Sequence, residues 1–168
     1  TNLLYYHLCL RLLGHPAFGI SDEQVSKLRN KILSVFRQDL SKPFSAFDRG
    51  DYVNTDGNLL ALDLDFFAPD SDEAKQLYAL LKQHPLWQQA GGIPGRVSFP
   101  AYPDSWKPDY VKNVGLRDYH DVLYWSWLMA LYAKVAYKMG DVDEGKKIFS
   151  ALARVAKRDG WIYEVYRN

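Results

Sequence analysis

Carboxylates, a histidine, tyrosines and indoles crowd two stretches near the C-terminal end of the chain. The first, Asp118-Tyr119-His120-Asp121-Val122-Leu123-Tyr124-Trp125-Ser126-Trp127, puts two acids, a histidine and two tryptophans within ten residues at the start of a long apolar run. The second, Gly160-Trp161-Ile162-Tyr163-Glu164-Val165-Tyr166, sets one carboxylate among aromatic rings. Acids supply hydrogen bonds and proton transfer, and flat aromatic faces stack on pyranose rings, so these stretches carry the chemistry of a sugar pocket. Glu164 is the sharpest candidate. Tyr163-Glu164-Val165-Tyr166 alternates as a short extended segment does, and Trp161, Tyr163 and Tyr166 would hold the carboxylate and keep it partly dry, as suits a general base. Without a pocket around it, Glu164 is a solvated side chain.

Other residues could wall such a pocket, each with a plainer role beside it. Asp56 and Asn58 stand where the next helix would be capped, and a capping side chain can also shape a floor. Trp106 and Tyr110, in loop 85–116, could line a sugar site or pack over its mouth. Asp121 at a helix start has a dipole explanation, and a lone histidine such as His120 is more often structural than catalytic. Clustering is what raises Tyr119, His120, Asp121, Trp125 and Trp127 above that. Several other chemistries are excluded by spacing. No Glu-x-x-His or His-x-x-x-His pair points to a metal. Gly91, Gly92 and Gly95 lack the Lys-Ser/Thr ending of a phosphate loop, and no Gly-x-Ser-x-Gly elbow offers a nucleophile. No cofactor signature is present.

The totals narrow the partners. With 168 residues the chain can bury one core. A net charge of +1, from 21 basic and 20 acidic residues, leaves no field for gripping phosphates, so nucleic acid is not the expected partner. No run approaches ~18 apolar residues, so no membrane span is expected. The single cysteine, Cys9, lies in an apolar run as a small hydrophobe; it leaves the compartment open, with the cytoplasm favoured.

Six helical segments must position these residues. Residues 1–14, 57–67 and 117–139 are apolar nearly all round, whereas 22–40, 71–84 and 142–158 are amphipathic. Ser21-Asp22-Glu23-Gln24 reads as a capping box, Ser71 as a cap, and Asp141 with Glu144 three residues on as a second box. Helices buried all round alternate with helices that face water on one side. That order predicts an all-α fold of paired antiparallel helices in two layers, part of an (α/α) toroid. A solenoid of helix pairs is the competing architecture, but no period near ~34 residues recurs. Loops from inner to outer helices are short, and loops 41–56, 85–116 and 159–168, which lead to inner helices, are long. All long loops should therefore meet on one rim, and the length of 85–116 marks it as functional or locally structured.

The motifs themselves resemble a family. Thr55-Asp56-Gly57-Asn58-Leu59-Leu60-Ala61 resembles a D-G-N-x-L-A segment, Asp118 to Trp127 is similar to Tyr-His-Asn-Gly followed by Trp-x-Trp, and Gly160 to Tyr166 resembles Gly-x-x-Tyr-Glu-Val-Tyr. In this order they resemble the catalytic region of six-hairpin glycosidases of the amylo-α-1,6-glucosidase (glycogen debranching) type. The resemblance implies an (α/α)6 barrel that cleaves α-glucosidic or related oligosaccharide bonds, commonly by inversion, with acid and base carboxyls roughly 6.5–9.5 Å apart. It implies Glu164 as the general base, with Tyr119, His120, Asp121, Trp125 and Trp127 on the sugar-binding wall. It also implies that residues 1–168 form a single partial domain, helices six to eleven of twelve plus the start of the last loop, with the general acid upstream of Thr1. The expected partners are an oligosaccharide or glycoside substrate, and the remainder of the barrel or a second chain to cover exposed inner helices. The chain departs from the family pattern at Asp121 and Val122, where Asn and Gly are frequent, so the sugar is left open. A chain with one candidate catalytic carboxylate also fits a non-catalytic helical carbohydrate-binding or protein-interaction module.

Overall fold

Side-chain caps and abrupt reversals divide the chain into its rods. The computed structural model describes residues 2–37, 39–45, 52–87, 95–116 and 123–166. Within them the fold is mostly helical, with α1 (Asn2–Leu12), α2 (Asp22–Phe36), α3 (Thr55–Asp63), α4 (Asp72–Gln83), α5 (Asp109–Asn113), α6 (Ser126–Lys138) and α7 (Val142–Asp159). The only strands among the described residues are β1 (Val53–Asn54), β2 (Ser98–Phe99), β3 (Tyr124–Trp125) and β4 (Val165–Tyr166), two residues each.

The expected capping holds at Ser21, where the side chain accepts from the Gln24 N–H and the Gln24 side chain returns to the Ser21 N–H. Ser71 caps α4 and Asp141 caps α7 as expected. The second box does not close. The Asp141 N–H already donates to the carbonyl of Ala136, and the Glu144 carboxylate accepts instead from the indole N–H of Trp87.

Four expected boundaries move. The helix foreseen to Leu40 stops at Phe36, because buried Arg37 turns back to donate to the carbonyls of Leu40 and Lys42, both at 3.2 Å. Its guanidinium lies over the rings of Phe44 and Phe67. The helix foreseen over 57–67 starts and ends early, at Thr55 and Asp63. Asp65 adopts φ 55, so Phe66 and Phe67 leave the helix and drop their rings into the core beside Tyr6 and Phe44. The helix foreseen over 117–139 begins only at Ser126, because Tyr124 and Trp125 are held extended in a ladder. Residues 117–122 lie outside the described residues. Among its described residues, loop 85–116 is locally structured, as its length suggested: it carries β2, a 3-10 turn at Asp104–Trp106, and α5.

Each of α1, α3 and α6 packs against the helix after it in the main series: α1 on α2, α3 on α4, α6 on α7. α3 lies between α1 and α6 and touches both. Its buried Leu59, Ala61 and Leu62 meet Leu128, Tyr132, Val135 and Ala136 of α6 in one core. α3 and α6 run in the same direction. Their N-termini are joined through the strands described below, and their C-terminal ends are tied by Lys134 to Asp63 and Lys138 to Asp65 and the Asp63 carbonyl. α1 departs from the expectation of burial all round. Leu4, Tyr5 and Leu8 are 52%, 59% and 51% exposed, because nothing described in this chain lies against that face.

α4 and α7 are bound by one polar cluster. The Tyr78 hydroxyl donates to Asp141 at 2.9 Å, and the Lys82 ammonium pairs with the same carboxylate oxygen. Lys82 holds the Asp141 carboxyl below the usual carboxylate range, with help from Tyr78 and the Glu144 N–H against partial burial. A carboxyl depressed by folding stabilises the protein above its unfolded value, about pH 4, and that contribution disappears as pH falls through the lowered folded value. Asp141→Asn keeps a capping side chain but loses the charge. We expect it to weaken the acid-dependent loss of stability below about pH 4, at a neutral-pH cost of at most about 1 kcal/mol. Denaturant unfolding across pH checks both; a slope equal to wild type would remove Asp141 from the acid transition.

Candidate functional site

Four chain segments meet where α3 and α6 begin. β1 pairs antiparallel with β2, Val53 opposite Phe99 and Asn54 opposite Ser98. The Thr55 N–H donates to the Val97 carbonyl at 2.7 Å, so this pairing runs into the first residue of α3. β3 pairs antiparallel with β4, Tyr124 opposite Tyr166 and Trp125 opposite Val165. One further bond joins the two ladders: the Trp125 N–H donates to the Gly95 carbonyl at 2.9 Å. A Cβ on Gly95 would stand 3.1 Å from Met129 and 3.2 Å from Tyr124, so a side chain there would make both neighbours give by a few tenths of an ångström. A continuous seam of loop backbone thus crosses the N-termini of both helices.

The D-G-N motif supports one end of the seam. Asn54, rather than Asp56 or Asn58, caps α3, accepting from the Gly57 N–H at 2.7 Å. Asp56 accepts from the same N–H at 2.9 Å and stays half-buried at the helix start. Asn58 is fully buried. It accepts from the Phe44 N–H at 2.7 Å and donates to the Phe44 carbonyl at 2.8 Å, stapling the loop before β1 onto α3. Beside this end the rings of Tyr52, Tyr102 and Trp106 cluster, with Tyr52 and Trp106 4.7 Å apart. Trp106 is half-buried in that cluster, and Tyr110 is exposed.

The other end carries Glu164. Its carbonyl accepts from both the backbone N–H of Ser126, at 3.1 Å, and the Ser126 hydroxyl, at 3.2 Å. Trp125 and Glu164 therefore share this end of the seam. Trp125 is buried in the core, whereas Trp127, one turn-step further on, exposes its indole. Glu164 is exposed, not partly dry as its aromatic neighbours suggested. Those neighbours pack on one another: Trp161 meets Tyr163 and Tyr163 meets Tyr166 edge to face, and the Tyr163 N–H donates to the Tyr166 hydroxyl at 2.7 Å. The carbonyl of Glu164 is fixed by Ser126 while the residue is exposed, and a carboxylate on such a segment is a group that can accept a proton from water or hydrogen bonds from sugar hydroxyls. Tyr119, His120 and Asp121 lie outside the described residues. Among the described residues, no group of His, Cys, Asp or Glu is arranged to hold a metal, and no helix is long and apolar enough to cross a membrane.

No family model matches this chain, and no curated protein and no solved structure matches it.

Sequence reasoning missed Asn54 as the cap, Asn58 as the staple and Gly95 as the close approach. A cap signal was legible at Asn54, three residues before Gly57. The partner of Asn58, fourteen positions away, was not. Replacing Asn58 with leucine leaves the buried N–H and C=O of Phe44 without partners, so Asn58→Leu should destabilise the chain by about 2–4 kcal/mol. Urea unfolding measures this; a loss near zero would mean the staple is dispensable. His84 supplies a second test. Burial holds its ring below the usual histidine range, its Nδ1 accepts the Leu86 N–H, and its ring meets Phe99 of β2. A histidine depressed by folding contributes stability above its unfolded value and loses it as pH falls, so unfolding should become easier below about pH 6.5. In His84→Asn, which keeps an acceptor without titrating, thermal melts should lose that dependence.

Proposed function

We propose that the chain forms part of an (α/α)6 toroid and contributes one side of a glycoside hydrolase site, acting on α-glucosidic or related oligosaccharide bonds. The observation that carries this is the meeting of the loops before α3 and α6 with the Glu164 segment in one seam. Parallel neighbours such as α3 and α6 cannot be joined by a tight turn, so the chain must return between them through another helix. α4 fills that place, as the repeat of a toroid of hairpins requires. The exposed apolar face of α1 supports the same architecture, since Leu4, Tyr5 and Leu8 call for further helices against them, whether from the remainder of the barrel or from a second chain.

In this reading Glu164 is the general base that takes a proton from the attacking water. Trp127, Trp161 and Tyr163 offer exposed faces for pyranose stacking. Trp106 and Asp56 extend the wall beside β1, and the motif resemblance assigns Tyr119, His120 and Asp121, outside the described residues, to the same sugar-binding role. The general acid stands outside this chain, and inversion is the expected stereochemistry. The exposure of Glu164 favours a second reading, a helical module that binds carbohydrate without cleaving it.

Glu164→Gln separates the two. For a hydrolase, the assembled protein should lose about 10²- to 10⁴-fold in kcat while its affinity for maltose-type sugars changes little. Turnover kinetics beside titration calorimetry read both quantities. Sugar binding with no hydrolysis in the wild type would establish the module, and near-normal turnover in the variant would remove Glu164 from the mechanism.

A further inference from the structure

Ser126 directs two donors at one acceptor. Its N–H reaches the Glu164 carbonyl at 3.1 Å, and its hydroxyl reaches the same oxygen at 3.2 Å. The first bond extends the β3–β4 ladder by one rung, since Trp125 stands opposite Val165 and the next pair along is Ser126 with Glu164. The second bond is additional to any ladder. A serine at a helix start ordinarily turns its oxygen back onto the helix's own unpaired N–H groups. Ser126 is instead the first residue of α6, one place past the cap position held by Trp125, and its hydroxyl reaches across to the other strand.

The place of that bond gives it a consequence. Val165 and Tyr166 are held in the ladder, whereas Trp161, Ile162 and Tyr163 are each at least half exposed. Glu164 is where the segment passes from the one condition to the other. Ser126 itself is buried, so water competes little for its hydroxyl. A carbonyl oxygen has two lone pairs and can accept twice. One donor leaves the peptide plane free to swing about the bond, and a second donor from another direction removes that freedom. The plane in question begins at the Cα of Glu164, so its orientation helps set the direction in which the side chain leaves the backbone.

We propose that the Ser126 hydroxyl is a positioning group for Glu164, holding the backbone from which the base reaches its water. The inference rests on the reading of Glu164 as general base and deepens it, by naming the group outside the reaction on which that base depends. A base works only within about 2.6–3.2 Å of the proton it takes, and a misplacement of about 1 Å can cost about a hundredfold in rate. Inversion sharpens the demand, because the base must keep its distance from the acid while leaving room for a water. Ser126 touches neither sugar nor water in this role. Its contribution therefore falls on the rate and not on sugar affinity.

Steady-state kinetics of the assembled protein on maltose and isomaltose test this, with Ser126→Ala made in both the wild-type and the Glu164→Gln backgrounds. Alanine suits a helical turn and leaves the N–H bond to Glu164 in place. In the wild-type background kcat should fall about threefold to tenfold, the size of one net hydrogen bond, with KM unchanged. In Glu164→Gln the same replacement should change the residual turnover by less than about twofold, because no base is left to position. A rise in KM at constant kcat, a kcat that stays within about twofold of wild type, or an equal loss in both backgrounds each overturns the positioning role and leaves the base reading standing. Near-normal turnover by Glu164→Gln, or no turnover of either sugar by the wild type, overturns both.

Discussion

Everything at the candidate site depends on the pairing of loop backbone across the N-termini of α3 and α6. A long connector that passes over a packed core carries N–H and C=O groups that need partners, and water cannot reach all of them. Here the partners are other connectors. β1 takes β2, β3 takes β4, and the Gly95 carbonyl joins the two pairs through Trp125. Asn58 closes the account for Phe44, whose backbone groups are too deep to be hydrated. Without this pairing the helices could still pack, but the loops would have no common position.

The helices in turn make the pairing possible. α3 and α6 share a core of Leu59, Leu62, Leu128, Tyr132 and Val135, and their far ends are held by lysines of α6 on aspartates at the end of α3. Two parallel rods fixed at both ends bring the segments that precede them to the same level. The Tyr78, Lys82 and Asp141 cluster does comparable work between α4 and α7, where apolar contact is thinner. Apolar burial thus sets which helices are neighbours, and a few charged contacts set their register.

The seam also separates two kinds of aromatic residue that composition cannot distinguish. Trp125 and Tyr124 lie in the ladder and turn into the core, whereas Trp127, Trp161 and Tyr163 stay accessible. Only the second kind can meet a ligand by stacking. Glu164 is set apart in the same way, its carbonyl tied to Ser126 while the residue as a whole stays exposed. A fixed backbone positions a reactive side chain at low entropic cost.

Much of the skeleton was legible in the residues alone. The alternation of all-round apolar and amphipathic stretches located the six main helices, and local capping signals at Ser21, Ser71 and Asp141 placed three of their starts. These are short-range effects, carried by residues three or four positions apart. The boundaries that shifted did so for long-range reasons: Arg37 folding back over Phe44 and Phe67, Phe66 and Phe67 leaving α3 for the core, and β4 holding Trp125 out of α6. The same holds for the site. Glu164 could be singled out by its aromatic neighbours, yet its exposure and the staple at Asn58 depend on segments distant in the chain. Local chemistry determined the rods and their caps. Only tertiary packing decided which side chains were buried, paired or left facing solvent, because burial and pairing are properties of neighbours that the linear order does not name.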